Sequence, residues 1–177
     1  IISNLILGGN QEELKNEILW YQEIFGSDYY FEMQRHQMSE EHLQEDGFYK
    51  ETWLLQNYQE FIEKQESVNK RIIELSQEFG IKIVAANDSH YINRKDWRAH
   101  EILLNVQSGE PCEIWEKDSL GNNKGKIPNP KRSVYPSHEI YFKSPEQIKE
   151  LFQDLPLSLE ITEEISEKCS HFESKVH

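Results

Sequence analysis

The chain is short of basic residues, of cysteine and of long apolar runs, and each shortage excludes something. Its 19 Lys and Arg stand against 32 Asp and Glu, a formal net charge of -13, so the chain as a whole has no field with which to grip a phosphate backbone unaided. Any nucleic-acid role must be local or borrowed from the rest of a larger protein. The 2 cysteines, Cys112 and Cys169, lie far apart in no metal-like spacing, which excludes a disulfide framework and a zinc finger. A reducing, cytoplasmic setting fits best. No apolar run approaches the ~18 residues of a membrane span, and IISNLILGGN lacks the basic head and cleavage site of a signal peptide. There is no initiator Met and the first residues begin in mid-helix pattern, so the chain reads as an excised fragment. Also missing are the G-x-S-x-G elbow, the phosphate-cradling G-x-x-x-x-G-K and the Rossmann fingerprint, so no nucleophile or nucleotide loop can be named.

What is present starts with length: 177 residues suffice for one domain with a real core. An aromatic content of 11% excludes disorder despite the polarity. Leu14, Ile18, Leu19, Tyr21 and Phe25 follow helical spacing from Gln11, and Gly26 supplies a stop. The aromatic run DYYFEMQ, 28–34, predicts a strand. Residues 39–79 are mostly helical in propensity, with an interruption at Asp46-Gly47 and a helical insertion over 46–67. In IKIVAANDSHY, 81–91, a short apolar run entered through Gly80 predicts a second strand. Strand, helix and strand then form a βαβ unit with parallel pairing. A helix over 94–108 follows. Residues 112–136 are rich in Gly, Asn, Pro and Lys and predict a mobile loop. After a short extended piece at 140–142, Ser144-Pro145-Glu146 opens a helix to Phe152 and Leu155-Pro156 opens another.

The chemistry concentrates at the ends of the two strands. In a parallel α/β sheet the C-terminal strand ends open onto solvent and collect functional groups. Asp88 and His90, two apart on one face, offer carboxylate oxygen and imidazole nitrogen to one divalent ion; a pair of rim residues without a metal is the plainer reading. Two ligands cannot hold a catalytic metal, which takes about three from the protein. His36, after the first strand, is the natural third member. Glu32 is a further candidate, and a hydrogen-bonded rim position is the plainer reading of both. His100 reads as an orienter of the site or as the partner of Asp96 in a helix-surface ion pair. His42, His138, His171 and His177 have no partner the sequence can name. Lys117, Lys124, Lys126, Lys131 and Arg132 make the 112–136 loop basic, open to phosphate contact or simply solvated.

Three long words carry a resemblance. NLILGGNQEELKNEILWYQEIFGSDYYFEMQRHQM, GIKIVAANDSHYINRKDWRAHEILLNVQSGE and YFKSPEQIKELFQDLPLSLEITEEISEKC, in this order, resemble the later half of the PHP (polymerase and histidinol phosphatase) domain of bacterial DNA polymerase III alpha subunits. The resemblance covers most of the chain outside 46–67 and 112–136. It implies a distorted (β/α) barrel whose metal cluster supports 3′-5′ exonuclease proofreading or another phosphoester hydrolysis, and which is structural where ligands are lost. Asp88 and His90 match the family's final D-x-H metal word. His36 matches the position after the E-x-Q strand word, where a His is common. The H-x-H word and the middle Glu and His ligands are absent from this chain.

The expectation is therefore an α/β chain, an incomplete (β/α) PHP-type barrel fragment, helix-rich with few parallel strands, forming a single partial domain. Its parent would be a DNA-directed DNA polymerase of replication, with a divalent metal (zinc, manganese or magnesium) in the intact domain. The fragment alone would be inactive and bind metal weakly. Its partners would be the rest of the alpha chain, DNA through the parent, and a separate proofreading exonuclease subunit. The apolar surface and sheet edges of a cut barrel would make the fragment self-associate. Two rivals are a non-catalytic structural or docking module of the polymerase and a free-standing PHP phosphoesterase.

Overall fold

Residues 1–170 are described in the computed structural model of the chain. His171 and His177 lie outside them. In chain order the elements are α1 (Ile2–Gly8), α2 (Gln11–Phe25), β1 (Tyr30–Met33), α3 (Glu40–Glu45), α4 (Thr52–Phe79), β2 (Lys82–Ala85), α5 (Trp97–Ser108), β3 (Glu113–Lys117), β4 (Asn123–Pro128), α6 (Pro145–Leu151) and α7 (Leu157–Cys169). No helix among the described residues is long and apolar enough to cross a membrane.

The chain divides into two units, each assembled from separate stretches. The first comprises Ile1–Arg35, Gln59–Asn87 and the chain from Lys143 on; the second comprises His36–Tyr58 and Asp88–Phe142. In the first, α2 starts where the Asn10 side chain accepts the Glu13 amide at 3.2 Å and ends at Gly26, whose φ of 54° favours glycine. Its Leu14 and Ile18 are buried. The strands β1 and β2 pair in parallel, Phe31 opposite Ile83 and Met33 opposite Ala85, and the Ala86 amide extends the ladder to the Met33 carbonyl at 3.0 Å. Val68, Ile72 and Leu75 of α4 join these strands and Phe152 in one apolar core. The helix α6 opens at the Ser144-Pro145 start read from the sequence, and there Ser144 and Gln147 bond each other's backbone amides in a capping box.

Two expectations change here. Residues 52–67, expected as part of an insertion, are the first half of α4, which runs uninterrupted to Phe79. The segment 112–136, expected as a loop, carries the antiparallel hairpin of β3 and β4, with Ile114 opposite Ile127 and Trp115 opposite Lys126. Its turn is built by Asp118, whose carboxylate accepts the Leu120 amide at 2.9 Å and the Asn122 amide at 2.8 Å. The turn-forming Gly and Asn residues dominate the composition and hide two strands short enough to be missed. Helices prevail and the strands are few, as expected of an α/β fragment; among the described residues the two sheets are two-stranded and neither closes into a barrel.

Candidate functional site

In the second unit, Asp88 and His90 follow β2 in the chain, and their side chains face each other. His90 Nε2 lies 3.3 Å from Asp88 Oδ1, with the two side chains 36% and 37% exposed. The backbone there is held by the stretch 140–142. The His90 amide donates to the Ile140 carbonyl at 2.8 Å, the Phe142 amide donates to Tyr91 at 2.9 Å, and Tyr91 and Tyr141 form a parallel bridge. The Tyr135 hydroxyl donates to the other oxygen of the same carboxylate, Asp88 Oδ2, at 3.2 Å. Burial, then the Asp88 charge, push the Tyr135 phenol up to about 12, so it stays a donor at neutral pH.

Around this pair sits an aromatic wall. The His90 ring is 5.1 Å from His100 and 5.1 Å from Tyr135, centroid to centroid, and His100 is 5.5 Å from Tyr91. Burial and then the neighbouring His90 and His138 hold the His100 imidazole below its ordinary value, which favours its neutral form. Asp96 bonds the Asn93 backbone and side chain at the start of α5, so the helix-surface reading of His100 as its partner gives way to a place beside His90.

His36 is buried, 1% exposed, and its carbonyl accepts the Ser137 hydroxyl at 2.6 Å. Glu32 is bonded by the Gln34 amide at 2.6 Å. Among the described residues no three His, Cys, Asp or Glu side chains are grouped so as to hold a metal ion. The pair Asp88 and His90 is thus brought together, and no third ligand completes it within the described residues.

Of the four histidines without a partner nameable from the sequence, the two within the described residues have one. His138 Nδ1 is 2.8 Å from Asp46 Oδ2, and His42 Nδ1 is 2.9 Å from Glu139 Oε1. Arg94 joins these pairs, donating to Asp46 at 2.7 Å and Glu139 at 3.3 Å. Trp97 stacks on His138 at 4.0 Å and 14°. Burial pushes the Asp46 carboxyl up, but the His138 bond and charge together with Arg94 outweigh it and hold the group below the ordinary carboxylate range. Arg132, expected as a basic loop residue, is buried. Its guanidinium meets both Glu51 oxygens at 2.7 Å and Glu101 at 2.8 Å, which spends its charge internally and leaves it none for phosphate. Cys112 and Cys169 are free thiols.

No family model matches the chain. Among curated proteins it is similar to those named DNA polymerase III subunit alpha. It is 47% identical over 160 residues to that of Chlamydia trachomatis, 90% of this chain and 12% of the relative. The Chlamydia pneumoniae protein is 51% identical over 158 residues, 89% of this chain and 12% of the relative. That of Borreliella burgdorferi is 36% identical over 172 residues, 97% of this chain and again 12% of the relative. The chain therefore spans about an eighth of the length of the curated relatives it matches.

Proposed function

For a chain that matches alpha subunits of DNA polymerase III along 90% of its length, as a fragment of one does, we propose that it supplies the last ligand pair of a divalent-metal site. Asp88 and His90 are that pair, in a PHP-type domain whose remaining ligands come from the parent polypeptide. The parent is a replicative DNA-directed DNA polymerase working in the cytoplasm. Its PHP site removes 3′-terminal nucleotides.

The supporting observation is the separation of the two donor atoms. Ligands ~2.0–2.1 Å from a tetrahedral zinc ion subtend about 3.3–3.4 Å, and His90 Nε2 and Asp88 Oδ1 stand 3.3 Å apart. The donor set, one carboxylate oxygen and one imidazole nitrogen on a half-exposed rim, suits zinc or manganese. A bound divalent ion supplies Lewis acidity toward a phosphoryl oxygen and acidifies a water. What this chain itself contributes is position: the ladder through Ile140 holds the His90 backbone, and the rings of His100, Tyr91 and Tyr135 restrict how His90 turns. With two ligands and no third grouped with them among the described residues, hydrolysis of a phosphodiester draws on ligands supplied by the parent polypeptide.

A second reading, a structural or docking module that braces the polymerase and seats a separate proofreading nuclease, is favoured by one observation: three metal-competent side chains nowhere converge among the described residues. The intact alpha subunit separates the two. In the double variant Asp88→Asn, His90→Gln, bound zinc or manganese measured by mass spectrometry should fall by one equivalent and release of a labelled 3′-terminal nucleotide by at least ~100-fold. Metal content and nucleotide release that both match the wild type would establish the bracing module.

A further inference from the structure

We propose that Tyr135 is a positioning residue for this metal site, fixing which oxygen of Asp88 the ion meets. The inference rests on the reading of Asp88 and His90 as ligands and goes beyond it, because Tyr135 itself touches no ion. A free aspartate has two equivalent oxygens and a broad terminal torsion, so either oxygen, or both, can ligate. Here the Tyr135 hydroxyl occupies Oδ2 at 3.2 Å, while Oδ1 is the oxygen turned to His90 Nε2. The bond takes up one acceptor site of Oδ2 and fixes the turn of the carboxylate, so that Oδ1 is the oxygen presented beside His90 Nε2 and single-oxygen ligation is favoured.

The arm that carries Tyr135 is anchored at both ends. Two residues before it, Ser133 is clamped to α5 by Asn105, which is 3% exposed. Asn105 Nδ2 donates to the Ser133 carbonyl at 2.8 Å and Oδ1 accepts its amide at 2.9 Å. Five residues after Tyr135, the Ile140 carbonyl receives the His90 amide. One short segment, 133–140, thus holds the Asp88 carboxylate by a side chain and the His90 backbone by its own. Outer partners of this type, bonded to a ligating carboxylate, typically change metal affinity ~10–100-fold when removed.

The test is a titration of the intact alpha subunit with Co²⁺, whose visible spectrum reports ligand geometry, in the wild type and in Asp88→Asn, Tyr135→Phe and Tyr135→Gln. Tyr135→Phe deletes one oxygen and keeps the ring. It should weaken Co²⁺ about 10-fold and shift the visible bands, with the metal-free melting temperature moved by no more than a few degrees. Tyr135→Gln, which keeps a donor and loses the ring, should retain more affinity than Tyr135→Phe; it also carries the test if Tyr135→Phe does not fold, through an affinity within about threefold of wild type. If Asp88→Asn leaves Co²⁺ binding intact, the metal reading itself fails. If Asp88→Asn abolishes binding while Tyr135→Phe binds and absorbs like the wild type, the ligand pair stands and the role of Tyr135 is overturned.

Discussion

The two units bury different things. The first closes on Leu14, Ile18, Phe31, Met33, Val68, Ile72, Leu75, Ile81, Ala85 and Phe152, and its ion pairs, such as Lys82 with Glu164 and Lys168 with Asp28, lie at the surface. The second also has an apolar nucleus in Leu43, Phe48, Leu54 and Ile140, but it buries Arg132, His138, Glu139 and Asn105 beside it. Apolar burial is non-directional, scales with area and tolerates repacking. Buried charge is directional and depends on every partner being in place. The unit that carries Asp88 and His90 is therefore the one whose geometry is most tightly specified and most easily broken by removing a single atom group.

The largest expected effect tests that contrast directly. Arg132→Ala removes the cation between Glu51 and Glu101 and the guanidinium 5.1 Å over the Trp53 ring. Two carboxylates are left without their counter-charge, and the loss should be about 3–5 kcal/mol. Leu75→Ala, in the apolar core, should cost ~2–5 kcal/mol through a cavity. Segment-resolved hydrogen exchange distinguishes the two. Protection should fall mainly in 88–142 for Arg132→Ala, and mainly in β1, β2 and α4 for Leu75→Ala. Equal losses everywhere from either variant would erase the distinction between the units.

Acid should then separate buried from exposed carboxylates. Asp46 is held below the ordinary carboxylate value, so its contribution is complete above the unfolded value of ~3.9 and is lost as pH falls through the lower folded value. In the first unit Glu164 is held near about 2, by Lys82 first and then by Lys168 and Tyr30. It is a surface group whose partners salt screens. Thermal melts between about pH 5 and pH 2.5, with and without added salt, should show a salt-resistant acid limb that Asp46→Asn flattens. At neutral pH the same substitution should cost ~1.5–3 kcal/mol, the scale of a hydrogen bond to a charged group. A limb that salt abolishes would place the acid-sensitive contacts at the surface.

Much of the first unit was legible because its signals are local. The Ser144 cap, the Gly26 stop and the period of Leu14 and Ile18 all lie within a few residues of what they specify. The pairing of β1 with β2 follows from chain handedness. That the Asp88 and His90 side chains face each other was legible for the same reason, the two residues being two apart in the chain. The second unit was not. Asp46 meets His138 across 92 residues, Arg132 meets Glu51 across 81, and Tyr135 reaches Asp88 across 47. A charge in a polar, Gly-rich stretch looks like a solvated one until the chain folds back on it. That is why Arg132 read as a basic loop residue and His42 and His138 as unpartnered. The one local hint for Tyr135 was an aromatic residue directly before Pro136, in a segment otherwise poor in apolar side chains.

The smallest effect should come from the hairpin, which belongs to the second unit but shares none of its burial. Trp115 is 54% exposed, opposite Lys126, whose ammonium stands 5.9 Å from the indole centroid, and every residue of β3 is exposed. An exposed cation over a ring gives up little free energy when lost. The other strand face has only the Ile114 and Ile127 pair to hold it. Trp115→Ala should therefore change the unfolding free energy of the chain by no more than ~0.5 kcal/mol in urea titration, with the slope against denaturant unaltered. In the intact alpha subunit the same measurement has a second use. A loss above ~2 kcal/mol there, with none in the isolated chain, is the size expected for a large aromatic buried against a partner surface. It would mean that the hairpin is covered by polypeptide the isolated chain lacks.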